Sequence, residues 1–134
     1  MITMFVLICV MSGCQKIGKD ERKIIRNYVS AFDALTNQLF PPPLSSDIYL
    51  AYRAAIRELD ELPDTIEVRE LKNAIAIYNG LYIMSEMYYN SAERYNPGTK
   101  GYQENRVKFE VENKKLRRAE FVVLTHCEKL LSTK

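Results

Sequence analysis

Between Pro63 and the triplet Asn96-Pro97-Gly98 the chain contains no proline, and its apolar residues recur every three or four positions throughout. Proline lacks an N–H and disfavours helical dihedrals in the residue before it, so the two ends punctuate one long element. The spacing predicts a helix from Asp64 to about Tyr95. Asp64 with Glu67 three residues on reads as an acidic capping box at its start. One face of this helix carries Leu71, Ile75, Tyr78, Tyr82, Ser85 and Tyr89, and a second carries Ile77, Leu81, Met84, Tyr88 and Tyr95. Two apolar faces predict a helix covered on more than one side, the central element of a bundle. Gly80 is isolated inside it and costs about 1 kcal/mol against Ala; a close helix crossing, a kink, or neither would fit that position.

The rest of the chain follows the same period. From Asp20 to Phe40, apolar residues fall at Ile24, Ile25, Tyr28, Val29, Phe32, Leu35 and Leu39, and Pro41-Pro42-Pro43 ends the run. Ser45 or Ser46 can cap a second helix presenting Ile48, Tyr49, Tyr52, Ala55, Ile56 and Leu59, which stops near Leu62-Pro63. A fourth, from about Tyr102 to Leu131, has a narrower stripe of Val107, Phe109, Leu116, Ala119, Val123, Cys127 and Leu130. Its polar side carries Glu104 before Lys108 and Glu110 before Lys114, the favourable order for pairs four residues apart. At about 1.5 Å per residue the two long helices each span on the order of 45 Å, and the short break between them predicts an antiparallel hairpin. No β-branched run alternates with polar residues over a strand's length. The expectation is an all-α, up-and-down four-helix bundle built on a long central antiparallel hairpin.

Nineteen basic against seventeen acidic residues give a net charge of +2, without the strongly basic face of a nucleic-acid binder. All of those charges lie after the uncharged opening run Met1-Ile-Thr-Met-Phe-Val-Leu-Ile-Cys-Val-Met-Ser-Gly-Cys14. That run is too short for a transmembrane helix, which needs about 20 apolar residues, and fits the apolar region of a secretory signal. Small residues at Ser12 and Gly13 suit a cleavage site. Met11-Ser12-Gly13-Cys14 resembles the lipobox of bacterial lipoproteins, which implies that residues 1–13 are removed and Cys14 is lipidated. Gln15, where an Asp would resemble an inner-membrane retention signal, leans the address towards the periplasmic face of the outer membrane. The resemblance divides the chain into a signal peptide (1–13), a lipidated cysteine with a short tether (14–19) and a helical bundle domain (20–134). Removing residues 1–13 from the 134-residue chain leaves 121, enough for one domain with a real core. The tether reaches at most roughly 18 Å, so the bundle is expected to sit close against the bilayer.

Chemistry-bearing patterns are sparse. One histidine, His126, and no cysteine pair in the mature chain leave no metal-ligand spacing and no cofactor motif. His126 and Cys127 are adjacent, and neighbouring helical side chains point about 100° apart, which a nucleophile and its base do not tolerate. Cys127 reads as a buried hydrophobe. Glu58, Asp60, Glu61 and Asp64 read as a solvated patch before an acid–base site. Lys114, Lys115, Arg117 and Arg118 read as a solvated face laced with salt bridges, and an acidic partner is the second reading. Lys16, Lys19, Arg22, Lys23 and Arg26 follow the anchor, offset by Asp20 and Glu21; at about 1 kcal/mol each near an anionic surface they would orient the domain but are not needed to hold it there.

The tyrosines are the best candidates for partner binding. Tyr78, Tyr82 and Tyr89 share one face of the third helix, and Tyr88 lies on the other. Most read as core. A groove lined by Tyr and Met would also suit a partner's amphipathic helix, because Tyr is favoured where one edge stays wet. Ala92-Glu-Arg-Tyr95-Asn-Pro97 resembles the end of a tetratricopeptide-type repeat, without its 34-residue period. In size and architecture the mature chain is similar to pilot, exclusion and assembly-accessory lipoproteins. These observations lead to a lipid-anchored interaction or assembly-accessory protein that binds a protein partner at its own membrane. A small periplasmic enzyme or ligand carrier, and a cytosolic helical adaptor, are the alternatives. Enzymatic activity is the weaker expectation, and the sequence leaves the oligomeric state open.

Overall fold

The computed structural model describes residues 17–132; the leader 1–13 and the expected lipidation site Cys14 lie outside the described residues. The fold is an all-α bundle. Its helices are α1 (Lys19–Thr36), α2 (Ser46–Glu58), α3 (Ile66–Glu93) and α4 (Lys100–Leu131), with a 3₁₀ turn at Leu59–Glu61. No strand occurs among the described residues. The chain divides into two compact units. One comprises the described residues up to Glu70 together with those from His126, and the other is Leu71–Thr125.

In the first unit, α1 buries Ile25, Tyr28, Phe32 and Leu35 at the expected spacing. The chain turns back so that Tyr52 of α2 meets two consecutive turns of α1. Its ring lies 5.8 Å from Tyr28 and 6.1 Å from Phe32, which stack on each other at 5.5 Å. Such offset aromatic pairs add about 0.5–1.5 kcal/mol each to their burial. α1 ends at Thr36, short of the expected Phe40. Pro41 keeps Phe40 out of helical geometry, and the chain leaves the helix through hydrogen bonds from Asn37 N–H to Asp33 and from Gln38 N–H to Leu35. Leu39 keeps the apolar spacing and is buried in the turn itself. At the start of α1 the Glu21 carboxylate accepts the Gly18 N–H at 2.6 Å, and the Arg22 guanidinium donates to the Leu131 carbonyl at the end of α4. Each satisfies a backbone group that a helix terminus leaves open.

The start of α3 differs from the acidic box that the sequence suggests. Thr65 caps it, its hydroxyl accepting the Val68 N–H at 3.2 Å. Asp64 is instead engaged by Arg69, whose Nε donates to it at 2.8 Å. An arginine five residues on offers a charged donor to Asp64, and the neighbouring hydroxyl takes the cap.

In the second unit, α3 and α4 pack closely as an antiparallel hairpin. Tyr89 meets Phe109 edge to face, with ring centroids 5.3 Å apart. Leu71, Ala74, Ile75, Tyr78, Ser85 and Ala92 from α3, with Phe109, Leu116, Ala119 and Val123 from α4, form the buried layer. The turn contains Gly98 at φ 92, a left-handed conformation that costs other residues more. Thr99 caps α4, its hydroxyl accepting the Tyr102 N–H at 3.3 Å and donating to the Asn96 carbonyl at 2.8 Å. Tyr95 lies across Gly101 so closely that a Cβ there would meet its ring at 2.5 Å.

On α4, Val107 is exposed rather than part of the buried stripe. It sits two residues before Phe109, which places it about 160° round the helix from the buried layer. The ion pairs run Arg106–Glu110, Lys115–Glu112 and Arg117–Glu120. Lys108, expected opposite Glu104, lies over the Tyr88 ring at 5.8 Å.

Candidate interaction face

The second apolar face of α3 is where the structure departs furthest from the sequence expectation. Leu81 and Tyr88 are half-buried, but Ile77, Met84 and Tyr95 are exposed. Among the described residues α3 is covered on one side. At 100° per residue, Asn73, Ala76, Ile77, Ile83, Met84 and Met87 all lie within about 60° of the direction of Gly80. Every one of them, and Gly80 itself, is exposed. Ile77 is 61% and Ile83 63% exposed, with Met87 at 48% and Met84 at 37%.

No member of this face is charged. From Asn73 to Ala92 the only charged residue is Glu86, which lies towards the hairpin side and accepts a hydrogen bond from the Tyr82 hydroxyl at 3.5 Å. A Cβ built at Gly80 would meet nothing within 4 Å, so this glycine opens onto free space at the middle of the patch. Isolated apolar residues are ordinary on a protein surface. A contiguous patch along nearly four helical turns, with no charge in it, is the kind of surface that proteins bury against something.

The four tyrosines singled out from the sequence are placed differently. Tyr78 is fully buried in the hairpin. Tyr82, Tyr88 and Tyr89 are half-buried at its margins. Tyr89 is held by Phe109 and by the Arg106 guanidinium at 5.9 Å from its ring, and Tyr88 by Lys108. These rings are engaged within the hairpin. The outward face belongs to Ile77, Ile83, Met84 and Met87, with Gly80 at its centre. Of these, Ile77 and Met84 belong to the second apolar face that the sequence pattern predicts to be covered. The available signal was the near absence of charge between Asn73 and Ala92, which an exposed adhesive face and a doubly buried helix share.

Two buried polar atoms lie in the hairpin beneath. With Tyr89 against Phe109, the antiparallel register puts Ser85 level with Asn113, one turn away on each helix. Neither Ser85 Oγ nor Asn113 Oδ1 has a hydrogen-bond partner among the protein groups, and Ser85 is fully buried.

The remaining chemical candidates stay separate. Cys127 is buried, and that burial pushes its thiol up to about 12, well away from the thiolate a nucleophile requires. Glu58, Asp60 and Glu61 are exposed. Asp64 holds Arg69, first through their hydrogen bond and then through its charge, which raises the guanidinium further above its usual range. Among the described residues no group of three His, Cys, Asp or Glu side chains could hold a metal ion, and no helix is long and apolar enough to cross a membrane. Comparison with protein-family models, with curated proteins and with solved structures gives no match to this chain.

Proposed function

We propose that this chain is a lipid-anchored interaction protein of the bacterial cell envelope. In this reading Cys14 carries the lipid, and the helical domain binds a protein segment through the outer face of α3. The observation that carries it is that face itself: Ile77, Ile83, Met84 and Met87 exposed around Gly80, with no charge among them. Its residues fall at i, i+3, i+4 and i+7 from Asn73 and again from Gly80, the spacing by which one amphipathic helix anchors on another. The Met11-Ser12-Gly13-Cys14 motif supports the anchor. Gln15 favours the outer membrane, and the short tether favours a partner assembling at the same bilayer.

The anchor is tested by expressing the full chain in a two-membrane bacterium and following incorporation of labelled palmitate. Cys14→Ser should abolish labelling and release the protein from membranes; an unlabelled, soluble wild type would remove the anchor from the proposal. The face is tested by placing a photo-crosslinking residue at position 83 or 87 in the membrane-bound protein. Protein adducts, whether with another copy or with a different protein, are expected from these positions and not from Glu104 on α4. Their absence would refute the interaction reading.

A further inference from the structure

Resting on that interaction reading, we propose that the occupant of α3's outer face is a second copy of this chain, docked as an antiparallel pair of α3 helices about a twofold axis at Gly80. A twofold-symmetric contact is isologous, so the same patch must complement itself. Antiparallel pairing about position 80 brings each residue a given number of places before Gly80 against the residue the same number after it in the other copy. Three places away the pair is Ile77 with Ile83, two identical side chains exposed to nearly the same degree. Four places away a small residue, Ala76, meets a large flexible one, Met84. Seven places away Asn73 meets Met87 at the margin. Small residues opposite large ones allow two helix surfaces to interdigitate.

Gly80 at the axis gives this arrangement its closest approach. It is a helix-weakening residue, and among the described residues nothing lies within 4 Å of a Cβ built there, so no contact among them accounts for it. Two helices touching there can draw their backbones together without a side chain between them.

The charges agree with the register. Arg69 falls opposite Ser91, Lys72 opposite Tyr88, Glu86 opposite Ala74 and Arg94 opposite Ile66. No like-charge pair lies in the face, where each would oppose association. Glu67 and Glu93 correspond in number but lie on the side of α3 turned away from Gly80.

The area sets the strength. The exposed apolar side chains of the patch offer on the order of 400 Å² per copy, below the roughly 800 Å² per partner of a standard interface. The dimer is therefore weak in solution, and strengthened where two copies are confined to one membrane surface.

The test uses the full chain with Cys9→Ser and Cys14→Ser, which removes the lipid and leaves the buried Cys127 as the one remaining native thiol. Sedimentation equilibrium should show concentration-dependent dimers. Ile77→Asp with Ile83→Asp, which sets like charges against each other, should weaken them at least about tenfold. Ile77→Lys with Ile83→Asp, which sets opposite charges together in this register alone, should restore them. Helices in contact at Gly80 bring its two Cα atoms within the roughly 4.4–6.8 Å that a disulfide bridges. Gly80→Cys should therefore oxidise to a covalent dimer at least about tenfold faster than Val107→Cys, which is exposed on α4. A chain that stays monomeric up to its solubility limit, or equal cross-linking from positions 80 and 107, overturns the proposal. Adducts from position 83 to a different protein, with the chain monomeric, would overturn it while leaving the interaction reading in place.

Discussion

Gly80→Ala separates the stability of the single chain from its association. Position 80 lies deep inside α3, exposed, with nothing within 4 Å of an added Cβ. The substitution therefore meets no clash, buries no polar group and loses no contact. What remains is the helix-propensity difference, about 0.8–1.0 kcal/mol in favour of Ala, which arises because glycine loses more backbone freedom on folding. For a chain of this size such a gain raises the melting temperature by about 2–8 °C, the span between smaller and larger domains. Thermal unfolding followed by far-UV circular dichroism, at concentrations where the chain is monomeric, measures it directly. The same methyl group at the proposed twofold axis props the two helices apart, so dimerisation should weaken as the monomer becomes more stable. An unchanged or lowered melting temperature at low concentration would refute the reasoning. It would mean that α3 is irregular at Gly80, or that the position is already covered within the chain.

Three further outcomes follow from particular contacts. Thr65→Ala should lower the unfolding free energy by about 1 kcal/mol through loss of the α3 cap, whereas Asp64→Ala should leave the urea midpoint nearly unchanged; the reverse order would restore the acidic box. Ser85→Ala removes a fully buried hydroxyl that has no protein partner and puts a better helix former in its place, so the urea midpoint should rise by the equivalent of about 1 kcal/mol, and a fall would show the hydroxyl to be satisfied. Cys127, with its folded pKa raised from 9.0 to about 12 by burial, holds its proton over a range in which the unfolded chain releases it. Its contribution is complete below about pH 9 and is lost as pH rises towards 12, at up to about 1.4 kcal/mol per pH unit. The stability difference between wild type and Cys127→Ala, measured by urea unfolding across that window, should therefore shrink with rising pH; a constant difference would contradict it.

The helices were legible because periodicity and punctuation are local. Leu71, Ile75, Tyr78 and Tyr89 mark one side of α3 whatever lies opposite, and Pro63 and Pro97 bound it from either side. Boundaries and caps were less so, since they turn on competition between neighbours. Leu39 continues the apolar spacing past the end of α1, and Thr65 takes the cap while Asp64 is engaged by Arg69. The exposed outer face of α3 was hardest to read for a different reason. A hydrophobic period reports that a face is apolar; it carries no information about what covers it. Ile77 and Met84 announce a second face of α3 in the sequence, yet both are exposed and nothing among the described residues covers that face. An apolar face with Gly80 at its centre and no charge within it gains nothing from water. The expectation that α3 is covered twice counts faces, and among the described residues one of those faces has no cover. The arrangement of Ile77, Ala76 and Asn73 before Gly80, against Ile83, Met84 and Met87 after it, is what makes a second copy a fitting source.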